Sequence, residues 1–262
     1  MPLKIITLNT WKCDGNYFQR LNWMADTLAA LQPDIILLQE VFRSVDGTMA
    51  TDFFLKDRLG LQVYWIPARR KFRQLAGQML DSHSGLSILS RHQSDFNEPL
   101  SLPSNESDGG RVAQLAAFKI AGQQLLFANV HLSHLSNCNG LKIRQVKAVL
   151  DRLTEIPFEL GFLAGDFNSR PQSKTVEYLL THSKWHIRDT YAATETAENA
   201  TVGATFCHQG VSKRIDYIFT IKRTLQSEKW ETTQSRVVLN EPSPRGLLPS
   251  DHFGVMTTLK LV

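Results

Sequence analysis

Short apolar runs alternate with polar stretches along this chain, and their periods separate strands from helices. Residues 3–10 (LKIITLNT) are β-rich and open a strand. Phe18, Leu21, Met24, Ala25, Leu28 and Leu31 then recur at helical spacing, and Pro33 stops that helix. DIILLQE, 34–40, is a short continuous apolar strand closed by Glu40, and TDFFLKDRLG, 51–60, is a helix ended by Gly60. LQVYWIP (61–67) and GLSILSR (85–91) are strands on either side of a polar, basic segment that reads as a loop. RVAQLAAFKI and QQLLFANVHL predict a hairpin around Gly122. Val146, Val149, Leu150 and Leu153 mark another helix, ELGFLAG (159–165) a buried strand, and SKTVEYLLTHS (173–183) a short helix. RIDYIFT, SRVVLNE and GVMTTLKLV are late strands, and 192–203 reads as a loop within the domain.

Buried and alternating strands thus interleave with amphipathic helices. Two sheets packed face to face, with helices outside them, would bury both patterns. No linker or repeat interrupts the chain, so residues 1–262 are expected to form one α/β domain, and 42% hydrophobic residues suffice for its core. Lys and Arg number 29 against 25 acidic residues, a net charge of +4 that permits a polyanionic substrate without requiring one. Three scattered cysteines, Cys13, Cys138 and Cys207, argue against a disulfide framework and a zinc cluster, and for a reducing compartment. With no signal-peptide pattern, and no run near the ~18 apolar residues of a membrane span, a soluble cytoplasmic monomer is expected.

Polar residues recur where the strands end. Asn9 closes the first and Glu40 the second, His131 follows LLFANV, Asp166 and Asn168 follow GFLAG, Asp216 sits between Ile215 and Tyr217, and Asp251–His252 precede the last strand. Singly, each has an ordinary reading: Asp-x-Asn after a strand is a turn signature, and a strand-end Glu is a solvated rim residue. Asp216 is harder to dismiss, because a buried carboxylate costs several kcal/mol unless paired. Together the groups suit metal-assisted phosphoester hydrolysis. Mg2+ needs only one or two carboxylates, a cation polarises a phosphoryl oxygen, and a His held by a carboxylate can take a proton from water. Carboxamides donate to phosphate oxygens without adding repulsive charge. No HExxH motif or Cys/His pair at ligand spacing points to zinc.

In this light LNTW, DIILLQEV, GLSILSR, NVHLSH, LAGDFNSRP, RIDYIF and SDHFGV, spread in order from residue 8 to 255, resemble the endonuclease/exonuclease/phosphatase superfamily. Its members include deoxyribonucleases, apurinic endonucleases, neutral sphingomyelinases, inositol polyphosphate phosphatases and poly(A) deadenylases. The resemblance implies a four-layered α/β sandwich, two packed mixed β-sheets flanked by helices, with the site at one edge of the sheets. It implies Glu40 as principal metal ligand, Asn9 as support of the metal–phosphate region and Asp251 as a second ligand, for Mg2+ with Mn2+ able to substitute. Asp166 and Asn168 would position water and phosphate, Asp216 would orient His252 as base or transition-state stabiliser, and His131 would assist the phosphate or leaving group. Two departures, Trp11 in place of an acidic residue and His131 in place of a tyrosine, point away from apurinic endonucleases and toward the histidine-bearing branches.

The substrate stays open at this level. A nuclease or related phosphodiesterase is favoured by the basic segment ARRKFRQ (68–74), whose Arg69, Arg70, Lys71 and Arg73 could meet backbone phosphates of a nucleic acid. The alternatives are a sphingomyelinase-type phospholipase C, an inositol-phosphate phosphatase and a non-catalytic binding module. The lipid reading asks for membrane-seeking aromatics, whereas Phe53, Phe54, Tyr64 and Trp65 read as core.

Overall fold

The computed structural model describes residues 2–194, 203–223 and 229–262. In chain order the first half comprises β1 (Leu3–Asn9), α1 (Tyr17–Leu31), β2 (Ile35–Ser44), α2 (Thr51–Leu59), β3 (Gln62–Leu75), β4 (Gln78–Ser90), β5 (Ser94–Leu102), β6 (Arg111–Ile120) and β7 (Gln123–His131). There follow α3 (Asn139–Leu153), β8 (Leu160–Asp166), α4 (Lys174–Leu180), β9 (His186–Asp189), α5 (Thr190–Thr194), β10 (Phe206–His208), β11 (Val211–Lys213), β12 (Asp216–Lys222), β13 (Trp230–Val238) and β14 (Gly254–Leu261). Two six-stranded mixed sheets result, ordered β13-β14-β1-β2-β4-β3 and β5-β6-β7-β8-β12-β9, with β10-β11 a small separate ribbon.

Alternation along the strands builds the layers. Ile5, Ile35, Leu37 and Ile88 of the first sheet meet Ala116, Phe118, Phe127, Phe162 and Ile218 of the second in a core between the sheets. The residues one step away face outward: Ile6, Leu8, Ile36 and Leu38 pack under α1 and α2. Leu126, Ala128, Leu163 and Phe219 pack under α3 and α4. The chain is therefore the expected four-layered α/β sandwich. A polar key crosses the inner layer: Gln39 Nε2 donates to Asn129 Oδ1 (2.7 Å), and Asn129 Nδ2 donates to Leu38 O (3.0 Å) and Gln114 Oε1 (3.3 Å). Buried amides that bond across the interface, as Gln39 to Asn129 and Asn129 to Leu38 do, fix one sheet's position on the other.

Four expectations are corrected. Residues 68–74 are not a loop: β3 runs through them and pairs with β4 as far as Leu75↔Gln78. Most residues of this part of β3 are exposed on both faces, so backbone pairing of the β3–β4 ribbon holds them with little apolar alternation to announce it. In α1, Phe18 is 47% exposed, and Tyr17 and Arg20 join Leu21, Met24, Ala25 and Leu28 on the buried face. Phe53, read as core, is exposed. Of 192–203, residues 192–194 end α5, and the predicted loop at 195–202 lies outside the described residues. Strands β5 and β9 escaped the periodicity reading because each is short or mostly half-exposed.

Candidate active site

The parallel pairs β1–β2 and β7–β8 end at the same edge of the sandwich, and β12, antiparallel to β8, begins there. Register then places His131 opposite Asp166, and Asp166 opposite Asp216, in three successive strands. Asn9 enters from the facing sheet, its Nδ2 donating to Asp166 Oδ2 (3.1 Å) while its Oδ1 accepts from the Trp11 N–H (3.0 Å). Glu40 sits where the β2–β4 register shifts, between Leu38 and Val41, with φ of 53°. A bulge of this kind re-aims a side chain, at a backbone cost of about 1–3 kcal/mol for a non-glycine residue. Trp11 (φ 55°), Lys12 (φ 44°) and Asn168 (φ 47°) lie in the same left-handed region, so unfavourable backbone is concentrated at this edge.

Asn9, Glu40, His131, Asp166, Asn168, Asp251 and His252 all line one open cleft of about 500 Å³. Asp216 lies behind them, fully buried, with both carboxylate oxygens on His252 Nδ1 (3.2 and 3.0 Å). His252 Nε2 faces Asp166 Oδ2 at 3.8 Å, and His131 Nε2 faces the same oxygen at 3.5 Å. Burial opposes charge on His252, but Asp216 and then Asp166 outweigh it and raise its pKa to about 10. Burial and the Asp216 charge push Asp166 up to about 6, against the pull of His252. His131 is driven well below the ordinary histidine range, by burial first and by the Arg111 guanidinium second. Burial also raises Asp251.

Ligand atoms of Asp166, Asp216 and His252 approach within 4.8 Å, close enough to hold an ion. Asp216, however, is sealed from the cleft and consumed by His252, so this trio is built to hold a proton. The better cation position is the Glu40 side. Glu40, Asn9 and Asp251 offer only oxygen donors to the cleft apart from the Asn9 amide nitrogen, which suits a hard divalent ion. A positive charge is already drawn there: Lys12 Nζ lies 2.8 Å from Glu40 Oε2. Burial alone would lower Lys12, but Glu40 reverses this and holds the ammonium above its usual range.

The basic wall divides by strand parity. Arg69, Lys71 and Arg73 line the cleft, whereas Arg70 lies on the other face of the ribbon, paired with Asp81, and does not join the site. Arg73 is tied to Ser82 Oγ (2.8 Å) and Ser84 Oγ (3.0 Å). The cleft also contains Lys12, Asp108, Arg111 and His134, none of them among the site residues expected from the sequence. Asp108, an acid beside two glycines, and Arg111, which opens the apolar strand after them, carry sequence signals that could have found them.

None of the curated protein sequences compared matches the chain. Among solved structures, an endonuclease/exonuclease/phosphatase family protein from Leptotrichia buccalis C-1013-b is similar, with TM-score 0.76 and 21% identity over 99% of this chain and 100% of that one. D. rerio TDP2 complexed with single strand DNA product gives TM-score 0.75 and 19% identity, covering 99% of both chains. A Bacteroides vulgatus endonuclease/exonuclease/phosphatase gives 0.73 and 20%, covering 100% of both. At these identities the likeness is one of fold. The model of the Endonuclease/Exonuclease/phosphatase family matches residues 6–252, a span that includes every strand-end group described above, and the chain therefore belongs to that family and carries its phosphoesterase fold.

Proposed function

We propose that the chain is a Mg2+-dependent phosphodiesterase that cleaves nucleic acid by in-line attack of water on phosphorus. The observation that carries this reading is the cleft itself, where seven polar groups from both sheets face a wall bearing Arg69, Lys71 and Arg73. Glu40, Asn9 and Asp251 would hold the ion, with Mn2+ as an acceptable substitute. When bound, Mg2+ supplies neutralisation of charge on the phosphoryl group. Asp166, its pKa near 6, accepts the proton of the attacking water, and the Asn168 N–H on its Oδ1 (2.8 Å) fixes its orientation. His252, held as the imidazolium by Asp216, stabilises negative charge on the phosphate. His131, kept neutral by burial and Arg111, serves as a hydrogen-bond donor toward the phosphate or leaving oxygen, not as a proton donor. The Asn168 carboxamide, which also donates to Leu132 O (3.2 Å), positions the phosphate. Support for nucleic acid over other diesters comes from the cation wall, and from the fold shared with a TDP2 crystallised on a single-stranded DNA product.

A second reading, a phospholipase C on sphingomyelin, draws on Phe72 (69% exposed) and Met79 (63%), on the ribbon face turned from the cleft. One panel separates the two: single-stranded DNA, duplex DNA, RNA, sphingomyelin vesicles and inositol phosphates, each with Mg2+ and with chelator. Hydrolysis of a nucleic acid, lost in chelator, is expected. Hydrolysis of sphingomyelin alone selects the second reading, and undiminished activity in chelator overturns the mechanism.

A further inference from the structure

Beside the catalytic groups the cleft has a second polar assembly, on the turn before β6. Asp108 is fully buried, and its Oδ1 receives Arg111 Nε (3.2 Å) and Nη2 (3.0 Å). Its Oδ2 is buried with no hydrogen-bond partner. Arg111 Nη2 also lies 2.7 Å from His134 Nδ1. A guanidinium is always a donor, so in the neutral ring Nδ1 must accept and Nε2 must carry the hydrogen. Arg111 and His134 line the cleft, so N–H groups of two kinds are held at one place in it, while the neutralising carboxylate of Asp108, at the same wall, is itself almost fully buried.

The opposite wall completes the arrangement. The Arg69 guanidinium lies against Gly109, where an added Cβ would meet its Cζ at 3.4 Å. Gly109 has φ of 70°, and the bare backbone lets the β3 ribbon approach the turn that carries Asp108. Neither the Arg69 guanidinium nor the Lys71 ammonium has a hydrogen-bond or ion-pair partner among the described residues, and both residues line the cleft. Two guanidinia thus flank one turn with a single buried carboxylate between them, which leaves the place with net positive charge. Arg111 Nη1 reaches His131 O (3.4 Å), so this place adjoins the reacting phosphate's position.

We propose that Arg111, His134, Arg69 and Lys71 form a second anion subsite, which takes a phosphate next to the scissile one. The inference rests on the phosphodiesterase reading and narrows it: the preferred substrate carries at least two phosphates, as an oligonucleotide or end-phosphorylated dinucleotide does and a lone diester does not. The test compares TpT with its 5′-phosphorylated and 3′-phosphorylated forms in Mg2+. One phosphorylated form is expected to exceed TpT in kcat/KM by about ten-fold, the scale of one charge-assisted contact, and Arg111→Gln should bring that ratio toward one. Arg111 also neutralises Asp108, so Arg69→Gln, which breaks no such tie, must lower the same ratio. A ratio near one for both forms in the parent, or a ratio unmoved by Arg69→Gln, overturns the subsite. If the parent hydrolyses none of the three, the phosphodiesterase reading fails. The subsite is then judged by titrating inorganic phosphate in chelator: about ten-fold weaker binding in the variants upholds it, and equal binding, or none in the parent, overturns it.

Discussion

Gly165 precedes Asp166 in β8, and its replacement by alanine gives a sharp measure of how tightly the site is moulded. The backbone φ is 139°, and an added Cβ would lie 1.9 Å from Val130 O and 2.9 Å from Val130 C on β7. No side chain can yield here, because the obstacles are backbone atoms of the paired strand. Relief needs a shift of more than about 1 Å between β7 and β8, well beyond the radial gap that already forfeits packing energy. Overpacking costs about 1–3 kcal/mol, and a side chain forced into this part of the map about 1–3 kcal/mol more. The sum is about 4 kcal/mol, and at roughly 2–4 °C per kcal/mol for a chain of this size Tm should fall by about 8–16 °C. The same shift separates His131 from Asp166, which face each other in that pair, so turnover at 20 °C should fall further than lost stability explains. Thermal unfolding followed by circular dichroism reads the first effect, and diester hydrolysis well below Tm reads the second. Gly161→Ala is the internal comparison, since its Cβ would meet mainly the edge of the Phe158 ring, at 3.0 Å. A Tm within about 2 °C of the parent, or a loss no larger than that of Gly161→Ala, would refute the reasoning.

Asp216→Asn should lose most of what His252→Ala loses, and the double variant should add little; additive losses in log rate would show that the two act separately. The same pair predicts a pH dependence of stability in chelator. The His252 pKa is raised from 6.5 to about 10, so its contribution is complete below pH 6.5 and disappears as pH rises toward 10. His252→Gln should flatten that alkaline fall in unfolding free energy, and an unchanged pH profile would contradict the charged assignment. On the ribbon, replacing Arg69, Lys71 and Arg73 with Gln should raise KM for an oligonucleotide and flatten its dependence on salt between roughly 50 and 200 mM. Arg70→Gln should do neither, and equal effects from the two faces would remove the ribbon's parity from the argument.

Asn9, His131, Asp166 and Asp216 were legible in the sequence because each ends or begins an apolar run, and a strand's end is a place in space as well as in the chain. Glu40 was legible as a position, but its bulge was not, since nothing in DIILLQE marks where pairing skips a residue. The ribbon misled for a physical reason: its residues bury little, so hydrophobic period carries no record of a strand made by pairing alone. Once it is a strand, parity separates Arg70 from Arg69, Lys71 and Arg73 at once. Lys12 and His134 end or begin no apolar run, because their place depends on side chains reaching across loops to partners such as Glu40 and Asp108.

The strand order has a consequence for how the protein comes into being. β14 lies between β13 and β1, so the first strand of the domain has one of its two neighbours at the domain's other end in sequence. A chain emerging from the ribosome has Asn9 and Glu40 outside early, but their sheet stays open along β1 until Gly254–Leu261 appear. Asp251 and His252 arrive only just before that strand. A nascent chain that has not yet reached β14 therefore displays half of the candidate site with no mould to hold it, and the cleft is completed only when the last strand of the domain has emerged.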